Sequence, residues 1–256
     1  MNLKKGRDTP GIGIDVNLGM QFDNVYVLPR FQNLYAGGTN DTWNTYTWQA
    51  GHPEAWRALE GKRYKDTYDD VSWGPRIDGS EYIPWYAWYP GHNRSFQTTN
   101  LVAQPNNIRD FYNTGVTANN SITFRQGNEM FNLRIAYNNQ SQSGIVPTTS
   151  LQRNNLAVST SYRVTPRLEL GTNINYINGR IHGIIDDSYG NSATGALNQW
   201  IHRELDFGIL RELRDLSYNG IYGSFNKPNP GQYDPSNPDN FYRANYHLNF
   251  FTYLDN

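Results

Sequence analysis

The sequence contains five stretches in which apolar and polar residues alternate. The clearest is residues 11–23, in which the apolar positions are Ile12, Ile14, Val16, Leu18, Met20 and Phe22. Successive side chains of a β-strand lie on opposite faces, so each stretch predicts a strand with one apolar and one polar face. The predicted strands lie near residues 11–23, 115–125, 129–138, 155–164 and 167–177.

The connections between the predicted strands alternate between short and long. Short turns at residues 126–128 and 165–167 join the second strand to the third and the fourth to the fifth. Long segments follow the other three strands, at residues 24–110, 139–150 and 178–256. Antiparallel strands would then place both short turns at one end and all long segments at the other, which is typical of membrane β-barrels.

Two fold classes account for this alternation. The first is an all-β fold, an incomplete portion of an antiparallel transmembrane β-barrel with about five strands and long structured extracellular loops. The second is a secreted or surface glycan-binding β-sandwich, in which the apolar faces pack against a second sheet. Periodicity alone does not separate the two, but the asymmetry of the connections favours the barrel.

Composition and motifs exclude several function classes. The net charge of -1 gives no electrostatic footprint for nucleic acid. The chain has no cysteine and therefore no disulfide framework. It has no run of about eighteen apolar residues, so no transmembrane helix is predicted. Histidines at metal-ligand spacing and hydrolase or P-loop motifs do not occur, so we predict a protein that is not an enzyme, with no catalytic residues, metal or cofactor.

The segment 24–110 contains six of the seven tryptophans. A disordered loop would not be expected to hold so many, so we predict a small structured cap with most rings in its own core. Four rings fall within five residues, and we expect that they cannot all point inward. Trp85, Tyr86, Trp88 and Tyr89 are therefore the candidate substrate-binding residues, because exposed rings stack on sugars.

Local patterns give three further predictions. A short helix is expected near residues 53–61. Apolar residues recur every four positions in residues 196–213, which predicts one amphipathic helix. A calcium site with oxygen ligands is conceivable near Asp186, Asp187 and Asn191.

Several short segments resemble those of SusC/RagA-type TonB-dependent transporters. Each segment is a weak signal alone, but they occur in the family's order and cover nearly the whole chain. The segments are residues 4–6 with 11–14, 22–25 with 28–29 and 32–33, 72–79, 105–115, 144–147 with 153–155, and 198–203 with 205–206.

The resemblance implies an importer in the cell outer membrane, built on a plugged barrel of about 22 strands. It implies a SusD-like surface lipoprotein as a lid, contact with outer-membrane lipid, and uptake of oligosaccharides or peptides with energy from TonB. Residues 249–253 stand where the family tends to have Asn-Pro-Tyr, so the end of the chain is expected to be loop.

The resemblance also divides the chain. Residues 1–10 would be the end of the plug and its junction, and residues 11–256 the N-terminal part of the barrel. The plug, the segment that contacts TonB and the remaining strands are expected to lie outside this chain, which would make it a fragment of the transporter. Arg134 or Arg163, facing the lumen, could contact acidic groups of the plug.

Overall fold

The alternating stretches form strands in the computed structural model, which describes residues 11–183, 195, 197 and 199–254. The predicted plug junction at residues 1–10 lies outside these residues. The chain divides into two compact units. The sheet unit comprises Met1–Tyr26 and Tyr112–Ile184, and the loop unit comprises Val27–Phe111 and Ile185–Asn256.

Five long strands and six two-residue strands are found in the described residues. They are β1 (Gly11–Asp23), β2 (Asn44–Thr45), β3 (Arg63–Tyr64), β4 (Glu81–Tyr82), β5 (Thr99–Asn100), β6 (Gly115–Gly127), β7 (Phe131–Ser143), β8 (Ser150–Thr165), β9 (Leu168–His182), β10 (Ser217–Tyr218) and β11 (Ile221–Tyr222). The short strands pair as β2 with β3, β4 with β5, and β10 with β11.

The five long strands form one antiparallel sheet in the order β1-β6-β7-β8-β9. Strands β6 to β9 follow one another as hairpins, whereas β1 pairs along its whole length with β6, from Gly11 opposite Gly127 to Asp23 opposite Gly115. A register irregularity lies between Arg163 and Thr165, next to the turn that joins β8 to β9. The prediction of a mainly β fold with an antiparallel sheet is confirmed.

Strands β7 and β8 extend further than the alternation predicted. The expected long loop at residues 139–150 is wrong, because the ladder continues to Ser143 and resumes at Ser150. Residues 139–143 are polar on both faces, so the alternation of side chains ends before the backbone pairing does. Thr149 closes the short connection, since its carbonyl oxygen accepts from the Gly144 N–H at 2.9 Å.

The ends of the strands preserve the asymmetry of the connections. Asp23, Gly115 and His182, where the long segments leave or rejoin the sheet, all lie at one end of it. The turns at residues 128–130 and 166–167 lie at the other end.

Aromatic rings form the core of the loop unit, as the sequence predicted. Trp56 is fully buried and lies within 6.2 Å, between ring centroids, of Tyr46, Trp88, Tyr233 and Phe241. Its Nε1 donates to the Trp88 carbonyl oxygen at 3.2 Å, which satisfies the indole N–H inside the core.

The helices of the loop unit are short. The α-helices whose two ends lie within the described residues are α1 (Asn107–Phe111), α2 (Phe207–Glu212) and α3 (Asp239–Tyr242). Short 3₁₀ helices lie at Glu54–Leu59, Trp85–Trp88, Pro230–Gln232 and Thr252–Leu254. No helix in the described part of the chain is long and apolar enough to cross a membrane.

One helix prediction is confirmed and one is wrong. The helix expected near residues 53–61 is the 3₁₀ turn Glu54–Leu59. The single helix expected at residues 196–213 is interrupted, because residues 200–206 are not helical and α2 begins only after Asp206, whose carboxylate accepts from the Gly208 and Ile209 N–H groups. The four-residue repeat correctly marked buried side chains but not a helix, because Ile201 and Leu205 are buried in irregular backbone.

Two leucines of the loop unit test where its core lies. Leu59 is fully buried and Leu34 is 54% exposed. We expect Leu59→Ala to lower the free energy of unfolding by about 2–5 kcal/mol, through lost burial and a residual cavity. Leu34→Ala should change it by less than about 0.5 kcal/mol. All seven tryptophans belong to the loop unit, so urea unfolding followed by tryptophan fluorescence reports on this unit. Equal losses for both variants would contradict this core.

Candidate functional site

One face of the five-stranded sheet is apolar and bare. Directly paired residues lie on the same face, so the register gives continuous rows of side chains across the strands. The central row is Ile14, Phe124, Ile135, Val158 and Ile174. The apolar side chains of β1 from Ile12 to Phe22 are 59–78% exposed. Nothing in the described part of the chain therefore covers this apolar face along β1.

The opposite, polar face of the sheet carries amide and hydroxyl groups around an open cleft of about 570 Å³. The polar residues that line the cleft include Asn17, Asn119, Ser121, Asn138, Arg153 and Asn155. Asn17 Nδ2 donates to Ser121 Oγ at 3.3 Å, and the buried Asn155 Oδ1 has no hydrogen-bond partner among the described residues. Amides both donate and accept, so the cleft suits a neutral polar ligand such as a sugar or a peptide main chain.

The two arginines predicted to contact a plug lie on the polar face. Arg134 is opposite Arg125 in the β6–β7 ladder, and Arg125 forms an ion pair with Asp15. Arg163 is opposite Glu169 in the β8–β9 ladder. Each arginine therefore has a charged residue beside it on the sheet, and contact with a plug stays a prediction.

The four aromatic residues predicted as substrate contacts are all buried. Trp85, Tyr86, Trp88 and Tyr89 each expose 7% or less of their surface. The expectation that four neighbouring rings cannot all point inward is therefore wrong. Residues Trp85–Trp88 form a 3₁₀ turn, which distributes side chains around its axis, and the loop unit surrounds that turn. Tyr89 packs in the core against Tyr242, with ring centroids 5.2 Å apart.

Trp85 and Tyr86 line a second, smaller cleft of about 130 Å³, which Trp88 and Tyr89 do not line. Two carboxylates, those of Glu204 and Asp206, border the same cleft. Asp206 already caps α2, and Glu204 pairs with Lys65. The cleft therefore has ring surface and two carboxylates that already have partners within the loop unit. A substrate role for Trp85 and Tyr86 stays a prediction.

The sequence did not predict an exposed tryptophan that packs beside a half-buried tyrosine. Trp73 is 63% exposed, and its ring centroid lies 6.1 Å from that of Tyr35. The backbone beside it is tightly packed, because a Cβ added at Gly74 would lie 2.1 Å from the Gly37 carbonyl oxygen. The glycine that follows Trp73 was the available signal, since it lets the backbone turn inward while the ring stays outside.

Segments that resemble the transporter family meet around Arg203. Its guanidinium donates to the Gln32 carbonyl oxygen at 2.9 Å, to Asn33 Oδ1 at 2.9 Å and to Asn107 Oδ1 at 2.6 Å. Asn107 Nδ2 donates in turn to the His202 carbonyl oxygen at 3.2 Å. These residues are far apart in sequence, so the network holds three segments of the loop unit in one arrangement.

A buried ion pair lies next to this network. Lys65 Nζ is 2.7 Å from Glu204 Oε1, and the Gly37 N–H donates to Glu204 Oε2 at 2.9 Å. Burial alone would raise the pKa of Glu204, but Lys65, His202 and the hydrogen bonds outweigh it and lower that pKa to about 2. Burial, with Lys65, lowers the pKa of His202 to about 4 against the opposing pull of Glu204. Both groups therefore keep their neutral-pH charge states in the folded loop unit.

The metal prediction is untested. Asp186, Asp187 and Asn191 lie outside the described residues. Within residues 11–183, 195, 197 and 199–254, no group of three or more histidine and acidic side chains is placed to hold a metal ion.

The depressed pKa of His202 predicts an acid-sensitive loop unit. A group whose pKa is lower in the folded than in the unfolded state stabilises fully above the unfolded pKa, and that stabilisation is lost as the pH falls. Between pH 6.5 and about 4 the free energy of unfolding should therefore fall by up to about 1.4 kcal/mol per pH unit through His202.

The matched variant for this prediction is His202→Gln, which has no titratable group and keeps an N–H donor for the Asp69 carbonyl oxygen. Its unfolding free energy, measured by tryptophan fluorescence in urea at pH 7.0, 6.0 and 5.0, should change less with pH than that of the parent. Parallel pH curves for the two proteins would show that His202 does not titrate in this way.

Comparison with known proteins gives no family assignment. No protein-family model matches the chain, and no curated protein matches it. The relation to SusC/RagA-type transporters accordingly remains a resemblance carried by the segments named above.

Proposed function

We propose that the chain forms part of the wall and outer loops of an outer-membrane TonB-dependent importer of the SusC/RagA type. The observation that carries the proposal is the bare apolar face of the sheet, with Ile14, Leu18 and Met20 more than 60% exposed. Exposed apolar surface on this scale marks a protein or membrane contact. Lipid hydrocarbon is the occupant that fits a face extending over all five strands.

The same face favours a barrel wall over the glycan-binding β-sandwich. In a sandwich, a second sheet of the chain would cover the apolar face at a distance of about 10 Å. The exposure of Ile12, Val16 and Phe22 on β1, and of Ile174 and Tyr176 on β9, argues against such a layer within the described residues.

The positions of the connections support an orientation. Short turns of outer-membrane barrels face the periplasm, and long loops face outward. The long segments leave the sheet at Asp23 and His182, at the end opposite the tight turns. The long segments would then lie on the cell exterior, where a SusD-like lipoprotein and the incoming oligosaccharide or peptide would meet them. Trp73, which is 63% exposed, offers ring surface for such a contact.

In this proposal the chain guides passage and does no bond chemistry. The polar face would line the lumen, and its amide cleft would exchange hydrogen bonds with water, substrate or plug. Energy would come from TonB acting on a plug.

A pair of neighbouring positions on β9 tests the lipid contact. Ile174 lies in the central row of the apolar face, and Asn173 lies on the polar face. Arg at the bilayer midplane costs about 2–4 kcal/mol when it faces lipid, whereas lumen positions tolerate it. We expect Ile174→Arg to reduce the amount of folded, protease-resistant protein in isolated outer membranes, and Asn173→Arg to leave that amount near the parent level.

Two controls make the comparison specific. The Ile174→Ala variant removes the side chain without adding charge and should assemble better than Ile174→Arg. Equal assembly of Ile174→Arg and Asn173→Arg, or recovery of the parent protein in the soluble fraction, would count against a membrane wall.

A further inference from the structure

The apolar band on the bare face does not occupy the same level on every strand. On β9 it extends from Leu168 to Tyr176, which is nine residues, and on β1 it extends from Ile12 to Phe22, which is eleven residues. A tilted membrane-spanning β-strand needs about 9–11 residues. Each edge strand of the described sheet therefore carries one membrane-spanning length of apolar side chains.

The register shows how far the two bands are displaced. The row that contains Tyr176 reaches β1 at Val16, and Phe22 lies six residues beyond Val16. The members of that row are Val16, Ile122, Tyr137, Leu156 and Tyr176. At the other end of the band, Thr172 is level with Ile12, and Leu168 lies four residues beyond Thr172. The band thus moves by four to six residues between β9 and β1.

Polar residues limit the apolar band on β7, β8 and β9. They lie towards the end of the sheet where the long segments leave it, which is called the upper end below. The row above Tyr176 contains Leu18 on β1 and asparagine on every other strand, at Asn120, Asn139, Asn154 and Asn178. The next row contains Met20, Ala118, Ser141, Gln152 and Arg180. Both rows are therefore apolar at β1 and polar at β7, β8 and β9. On β6 the first row has the polar Asn120 and the second has the apolar Ala118.

We propose that the outer boundary of the bilayer crosses the sheet obliquely, from above Tyr176 on β9 to Phe22 on β1. A displacement of five residues is about 17 Å along a strand, and four strand spacings are about 19 Å. The two lengths correspond to strands tilted by about 40° from the membrane normal, within the 35–45° of membrane barrels. This inference rests on the proposed function, since it assigns the contacts of a lipid-facing wall.

The two ends of the row from Met20 to Arg180 then have different surroundings. Met20 contacts hydrocarbon, whereas Gln152 and Arg180 lie beyond the hydrocarbon, in the headgroup layer or water. Tyr137 and Tyr176 lie at the upper edge of the band, where aromatic girdles of membrane barrels meet the interface. Strands β7 to β9 continue past the bilayer, which explains why Ser141, Gln152 and Arg180 are polar although they lie on the lipid-facing side of the sheet.

Cysteine labelling can separate these surroundings, because the chain has no cysteine of its own. Single variants Met20→Cys and Arg180→Cys share one row, and Val158→Cys lies in the central row as a lipid-facing control. Each is produced in the full-length protein, and isolated outer membranes are treated with a membrane-impermeant maleimide. Arg180→Cys should react at least on the order of ten times faster than Met20→Cys and Val158→Cys, because thiols in hydrocarbon are shielded from the reagent.

A spin label at the same three positions identifies what shields them. Labels in lipid should collide with oxygen more than with a water-soluble nickel complex, and a label covered by protein should collide with neither. Equal maleimide rates at positions 20 and 180, or a label at position 20 covered by protein, would overturn the oblique boundary. Rapid reaction at position 158 would instead overturn the proposed function itself, so the two failures are distinguishable.

Discussion

The pairing register of the five long strands is the constraint on which the two-faced sheet depends. Side chains alternate with a period of two, so a slip of one residue in any ladder would move a strand's apolar side chains to the polar face. The observed pairs keep Ile14, Ile135 and Ile174 in one row and place Asn17, Ser121 and Asn138 together on the opposite side. The bare apolar face and the amide cleft follow from that register, and the common end for the long segments follows from the antiparallel order of the strands.

The long strands were predictable because the alternation of apolar and polar residues is a local signal. The ends of the strands were not predictable from it. Alternation identified each long strand, but the ladder extends through residues 139–143, where both faces are polar and side-chain pattern carries no information. In the loop unit the failures have a tertiary cause. Trp85 and Tyr86 are covered by segments distant in sequence, and Ile201 is buried without a helix. Trp73 was missed for the converse reason, since tight packing of its backbone leaves the ring outside.

The loop unit depends on polar groups that lack access to water. Arg203 and Glu204 are adjacent, and each is buried with partners from other segments. Removing one member of such a pair leaves an uncompensated buried charge, which strongly destabilises a folded protein. Gln32 extends the network, because its Nε2 donates to the Ser72 carbonyl oxygen at 3.0 Å. The network thus joins four segments of the loop unit, around residues 32–33, 72, 107 and 202–203.

The long separation between β1 and β6 has a consequence for the order of folding. The hairpin β6–β7 closes a connection of three residues, whereas pairing β1 with β6 closes one of about ninety. In a flexible chain the longer closure costs about 3 kcal/mol more in entropy. Prior collapse of residues 27–111 would shorten the effective loop, so β1 should join the sheet last, after the aromatic core has formed. The aromatic core then serves the kinetics of assembly as well as the stability of the loop unit.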